Sequence, residues 1–189
     1  MKRLIIIMVA MATMFTTPVV AQNSNVKYQS EVFVSGGAAI GDMYIKLGDM
    51  TNDGTKMTYS LSVQTIQGAK FGDYFSAGIG LGLDFLAGPA DDLDLFAMLI
   101  PVYADFKFWI PTNGRITPYL MAEAGGSFNI LPSTIRPLYG GGVGIKMNDR
   151  FAMSLNYVND GYRMPTIGAE KIDYSYNEHK LQLRFSWIF

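Results

Sequence analysis

The stretch Leu181-Gln182-Leu183-Arg184-Phe185-Ser186-Trp187-Ile188-Phe189 decides the reading of this chain. Leu181, Leu183, Phe185, Trp187 and Phe189 alternate with Lys180, Gln182, Arg184 and Ser186, and only Ile188 breaks the pattern. Successive side chains of a β-strand point to opposite faces, so this segment is a strand with one apolar and one polar side. The rhythm recurs upstream. Met57, Tyr59, Leu61 and Val63 alternate with polar residues, as do Phe75, Ala77, Ile79, Leu81, Leu83 and Phe85 with Ser76, Gly78, Gly80, Gly82 and Asp84. Weaker forms cover roughly 26–40, 95–109, 115–128, 138–147 and 151–158, giving eight strands in all.

The connections alternate in length. Tight turns are expected at 68–72, 110–114 and 147–150, with Asn113-Gly114 a hairpin dipeptide, while 41–55 and 159–177 read as long polar loops and 87–92 and 130–136 as intermediate ones. Pro101 and Pro118 fall inside strands, where each removes a ladder donor. The hairpin register is expected to bring the two together at a local bulge.

Composition narrows the class. At 189 residues the chain holds one domain. Met1–Ala21 reads as a secretory signal peptide: Lys2 and Arg3 are followed by the short apolar run Leu4–Met11, and the small residues Val19 and Ala21 stand at the −3 and −1 positions of a cleavage site. Residues 22–189 are then the barrel domain. Cleavage leaves 13 basic against 16 acidic residues, a net charge of −3 that is no footprint for nucleic acid. Cysteine is absent, which excludes disulfides, thiolate metal sites and a catalytic thiol. Only 16% of residues are charged, against roughly 25% in ordinary soluble domains. No uncharged apolar run of helix-spanning length follows the signal peptide, so any passage through a bilayer is made by strands.

Alternation alone fits either a membrane barrel or a soluble lipocalin-like ligand-binding barrel. Three features favour the first. The polar face is small, with Gly78, Gly80, Gly82, Gly140, Gly142, Gly144, Ala97, Ala152, Ser60, Ser62 and Ser154. A solvated surface has no need of small residues, whereas an eight-strand lumen is barely wide enough for its side chains; such residues leave room for Tyr103, Tyr119, Glu123 and Arg184. Aromatic residues fall in two girdles on the apolar face. Tyr59, Phe85, Phe96, Phe128, Tyr139 and Tyr157 lie toward one rim, Tyr28, Phe75, Phe108, Phe151, Trp187 and Phe189 toward the other, and aliphatic residues lie between. Turning Arg184 or Lys180 toward acyl chains would cost roughly 2–4 kcal/mol at the midplane. The expected fold is therefore all-β: an eight-stranded antiparallel up-and-down transmembrane β-barrel. Because no strand edge can stand open in hydrocarbon, the last strand pairs with the first. Inward Glu31 and Arg184 on these neighbours are expected to form a lumen ion pair, with Glu123, Asp105, Lys107 and Arg115 in the wider network.

The closing strand and the whole exported chain resemble the small Gram-negative outer-membrane β-barrel domain family of OmpA/OmpX type. The segments Ile100-Pro101-Val102-Tyr103-Ala104-Asp105 and Ile116-Thr117-Pro118-Tyr119-Leu120-Met121-Ala122-Glu123-Ala124-Gly125 are similar to the central hairpin of such barrels. The resemblance implies an outer-membrane address, contact with outer-membrane lipid, and Phe185, Trp187 and Phe189 as the signal read by the barrel-assembly machinery. The peptidoglycan-binding domain of OmpA is not expected, because the sequence stops at Phe189.

Chemistry is sparse. His179 is the only histidine, near the external end of the last strand, where an outer-leaflet lipid-modifying enzyme could use it; but Leu181 stands where a His-x-Ser pairing needs serine, Ser175 is outside that motif and Glu178 points the other way. The expectation is no enzyme, no cofactor and no metal. Asp91, Asp92, Asp94, Asp49 and Asp53 match no calcium-loop spacing, and Gly140-Gly141-Gly142 is no phosphate loop, since no helix follows. A lumen filled by side chains disfavours a porin. A structural role in envelope integrity, or surface interaction through 41–55 and 159–177 with an external protein or surface ligand, is expected of a monomer.

Overall fold

A computed structural model of the chain describes residues 25–47, 50–88, 96–129, 134–148, 150–164 and 172–189. The expected signal peptide lies outside these, as do Asp49, Asp91, Asp92, Asp94 and the side chains of Asp53, Phe96 and Ser175. Eight strands follow in order: β1 (Val26–Leu47), β2 (Met50–Phe71), β3 (Phe75–Ala87), β4 (Phe96–Trp109), β5 (Ile116–Asn129), β6 (Thr134–Met147), β7 (Phe151–Met164) and β8 (Ile172–Ile188). Each pairs antiparallel with its sequence neighbour, and β8 closes on β1 from Glu31↔Ile188 to Leu47↔Ile172. Every strand therefore has two neighbours, and no edge stands open through the barrel wall.

One end carries the tight turns, which in membrane barrels face the periplasm, so the opposite end is the external one. Gly72 (φ 60°) turns β2 into β3, and Asn148 (φ 58°) turns β6 into β7; both need the left-handed region that Gly and Asn enter most easily. The turn between β4 and β5, which contains Asn113-Gly114, spans Ile110 to Arg115 and is tied by Ile110 N–H donating to the Pro118 carbonyl at 2.9 Å. Both ends of the described chain lie beside these turns: Gly72 N–H donates to Asn25 O at 2.8 Å, and Ile188 N–H to Arg150 O at 2.7 Å.

At the other end two expectations are corrected. Residues 41–55 and 159–177 are not long loops. β1 and β2 run on as one ladder to Leu47↔Met50, so their connection is only residues 48–49, and β7 and β8 stay paired to Met164↔Tyr174. The two prolines do not meet either. Pro101 pairs with Ser127 in the half of β4 remote from the turn, while Pro118 sits beside the turn opposite Ile145. No bulge forms at Pro101. The β3–β4 ladder keeps one register from Phe75↔Phe108 to Ala87↔Phe96 and merely omits the pairs of Gly82 and Leu83 with Pro101 and Ile100. Losing a donor interrupts a ladder without requiring an extra residue.

Candidate functional site

The wall is inside out relative to a soluble protein. Leu61, Val63, Ile79, Leu120, Val143, Leu155 and Leu183 are exposed outward, Ile79 to 64%. Tyr59, Phe128, Tyr139 and Tyr157 are exposed toward the external end; Tyr28, Phe75, Phe108, Phe151, Trp187 and Phe189 are exposed toward the turns. Glu31, Asp105, Lys107, Glu123, Lys180 and Arg184 are buried. An apolar exterior flanked by aromatics, around a polar and closed interior, is the surface a bilayer selects. A soluble lipocalin-like barrel would have the opposite distribution.

The buried charges form two clusters. In the one nearer the turns, Lys107 Nζ lies 2.9 Å from Glu31 Oε2 and 2.7 Å from Asp105 Oδ1. Arg184 Nη2 lies 3.0 Å from Glu123 Oε2, and its guanidinium stacks 3.9 Å from the Phe33 ring centroid. Two expectations change here. Glu31 and Arg184 share the lumen but each bonds elsewhere, because closure sets Arg184 opposite Ser35, four residues from Glu31 and so about 13 Å along the strand. Arg115 is no part of the network; it is exposed in the β4–β5 turn.

The second cluster, nearer the external mouth, was not foreseen. Lys180 Nζ bonds Asp84 Oδ2 at 2.7 Å and Asp160 Oδ2 at 2.9 Å. Arg136 Nη1 reaches Asp160 at 3.5 Å and Glu178 at 3.4 Å, and Thr58 donates to Glu178 at 3.1 Å. Arg136 and Asp160 fall where loops were expected, which hid them. Strand parity would also have found Trp109, which shares the inward face of Tyr103, Asp105 and Lys107. It closes the lumen near the turns, with Nε1 donating to Ser76 at 3.0 Å, its ring 4.8 Å from Tyr119, and Lys70 and Lys146 over its ring at 5.7 and 5.6 Å.

The small inward residues make this filling possible. A Cβ at Gly80 would overlap the Tyr103 ring, one at Gly144 the Tyr119 ring, and one at Gly142 the Asn156 amide. Tyr103 then donates to Gln64 at 2.8 Å. Gly→Ala ordinarily favours a strand. Here Gly80→Ala is expected to destabilise the barrel by about 1–3 kcal/mol through overpacking, and Tyr103→Leu in the same chain to relieve most of the loss. Urea titration of the vesicle-inserted barrel measures both, and a stabilised Gly80→Ala would refute the packing account.

At the external rim His179 is held by amide and phenol groups. Tyr157 Oη lies 2.5 Å from Nδ1, Asn159 Nδ2 lies 3.1 Å from Nδ1, and Asn177 Nδ2 lies 3.0 Å from Nε2. No contact among the described residues places a carboxylate or a serine hydroxyl on this ring, and no group of three or more metal-ligating side chains occurs among them.

Closure, an apolar wall and a charged, packed lumen define an integral outer-membrane β-barrel of the small eight-strand kind. No protein-family model matches the sequence, and no curated protein matches it. Solved structures similar to it include the outer-membrane protein AlkL in lipid bilayers, at 10% identity over 92% of this chain and 95% of that one (TM-score 0.47). OprG of Pseudomonas aeruginosa is 11% identical over 85% and 96% (TM-score 0.47), and the outer-membrane enzyme PagL is 12% identical over 77% and 97% (TM-score 0.43). These are likenesses of fold. The assignment rests on the barrel's own surfaces.

Proposed function

We propose that this protein acts at the cell surface through the sheet β2-β1-β8-β7, which continues past the rest of the barrel. The supporting observation is the unequal height of the strands. β3 stops at Ala87, where it pairs with Tyr59, yet β2 continues for the nine residues Met50–Thr58, about 30 Å of extended chain. Their sequence, Met50-Thr51-Asn52-Asp53-Gly54-Thr55-Lys56-Met57-Thr58, is polar and suits water rather than hydrocarbon. Among the described residues none pairs with this segment on the side away from β1. A strand edge of this length offers a row of backbone donors and acceptors to an extended peptide of a partner protein.

Tyr44–Asp53 can be removed without disturbing register, because Met43 and Gly54 are already partners and an Asn-Gly turn can join them. Cells producing this variant are expected to lose adherence to an immobilised protein surface while keeping their resistance to detergent. Retained adherence with lost resistance would replace this reading by one of envelope integrity.

Export follows from Met1–Ala21, and assembly from the stripe Phe185, Trp187 and Phe189, which the barrel-assembly machinery would read. The barrel works as a monomer, since closure leaves no edge within the wall. We infer no catalytic role. Among the described residues His179 has neither the nucleophile nor the acid that hydrolysis of lipid would need. His179→Ala is expected to leave the lipid A of producing cells unchanged by mass spectrometry, and an altered acylation pattern would overturn this.

A further inference from the structure

The wall holds a groove of about 400 Å³ on the face formed by β5, β6, β7 and β8. Its floor includes one row of register partners, Leu120, Val143, Leu155 and Leu183, all exposed outward. A second row, Pro118, Ile145 and Met153, lies one step nearer the tight turns. Two rings border it: Phe108 on β4 pairs with Leu120, and Phe185 on β8 pairs with Met153. Ile110 closes its lower end.

That lower end is cationic. Ile110 belongs to the same turn as Arg115, which precedes β5, and Arg150 precedes β7. Both arginines are exposed, and Arg115 O accepts from Asn148 N–H at 3.0 Å, which brings the two turns side by side. Leu120 is five residues above Arg115, about 17 Å along a strand and so about 13 Å in depth at the usual tilt. One leaflet of the hydrocarbon core is about as deep.

We propose that this face is a binding site for one glycerophospholipid of the periplasmic leaflet, with an acyl chain in the groove and its phosphate between Arg115 and Arg150. The proposal rests on the membrane placement and orientation derived above. A wall surrounded by hydrocarbon gains no hydrophobic transfer energy from an acyl chain, only closer packing. The groove therefore sets where the chain lies, and the guanidinium–phosphate contacts supply most of the preference over bulk lipid. Asp149 precedes Arg150 in the sequence, so the pair of arginines carries the site rather than Arg150 alone.

The test is native mass spectrometry of the barrel released from nanodiscs of phosphatidylethanolamine and phosphatidylglycerol, with diacylglycerol added as an uncharged competitor. The wild-type barrel is expected to retain one phospholipid. R115Q/R150Q is expected to lower the retained fraction more than about ten-fold, since each cation near a phosphate plane contributes about five-fold. V143W, which fills the floor, is expected to lower it about five-fold by denying chain contacts. Retention of no lipid, or equal retention in all three proteins, overturns the proposal. Uncharged diacylglycerol held as well as phospholipid overturns the role of the arginines. Heat-modifiable gel mobility is read on the same samples: no shift in the wild type would instead sink the membrane-barrel reading, whereas a folded barrel without lipid sinks the site alone.

Discussion

Lys107→Met is expected to lower the unfolding free energy of the membrane-inserted barrel by about 3–5 kcal/mol. Lys107 is the cation between two carboxylates, 2.9 Å from Glu31 and 2.7 Å from Asp105, and all three side chains are at most 3% exposed. Methionine preserves most of the volume, so packing changes little. What changes is that two buried carboxylates lose the charge that compensates their desolvation. The triple variant Glu31→Gln, Asp105→Asn and Lys107→Met removes the uncompensated charge together with its cause. It is expected to recover most of the loss, because a buried ion group replaced as a whole is often nearly neutral. Urea unfolding in lipid vesicles, followed by the fluorescence of Trp109 and Trp187, measures both. A loss below about 1 kcal/mol for Lys107→Met would mean that water reaches the carboxylates. The lumen would then be a wet path rather than a packed interior, and a transport role would have to be reconsidered.

What was legible in the sequence follows from the same contrast of environments. Period-two alternation arises because one strand face meets lipid and the other a packed lumen. Parity alone therefore assigns Glu31, Asp105, Lys107, Glu123 and Arg184 to the inward face, where all five are buried. It fails where the residues of both faces are polar. Met50–Thr55 pairs as regularly as the rest of β2, yet its polar composition reads as a loop. The partners of the inward charges were illegible for a different reason. Hairpin register relates only adjacent strands, whereas lumen contacts cross the barrel: Arg184 on β8 meets Glu123 on β5, Lys180 on β8 meets Asp84 on β3, and Glu31 on β1 meets Lys107 on β4. Those pairings depend on shear and closure, which no local pattern encodes.

The placement of the wall in a bilayer carries the second large effect. Ile79→Arg is expected to cost about 2–4 kcal/mol, and Phe75→Arg about 0–1 kcal/mol, although both residues lie on one strand and one face. Ile79 is 64% exposed and Phe75 39%, so lumen chemistry does not distinguish the two changes, and packing, through the ring contacts of Phe75 with Phe71 and Phe106, would by itself make Phe75 the costlier one. Depth sets the opposite order. Ile79 lies four residues from Phe75 and six from Phe85, which puts it near the middle of the apolar band, about 13 Å along the strand from the lower girdle. A guanidinium there must thin the bilayer or draw water to itself, whereas one at Phe75 reaches the headgroups by extending its side chain. The measurement is urea unfolding of each variant in vesicles, repeated in detergent micelles, where the depth profile should flatten. In a soluble barrel with a hydrated exterior both substitutions would be nearly neutral, and equal small effects in vesicles would remove the lipid from this account. A steep difference between Ile79 and Phe75 cannot arise from a surface in water, because exposed positions on one strand face there share one dielectric environment.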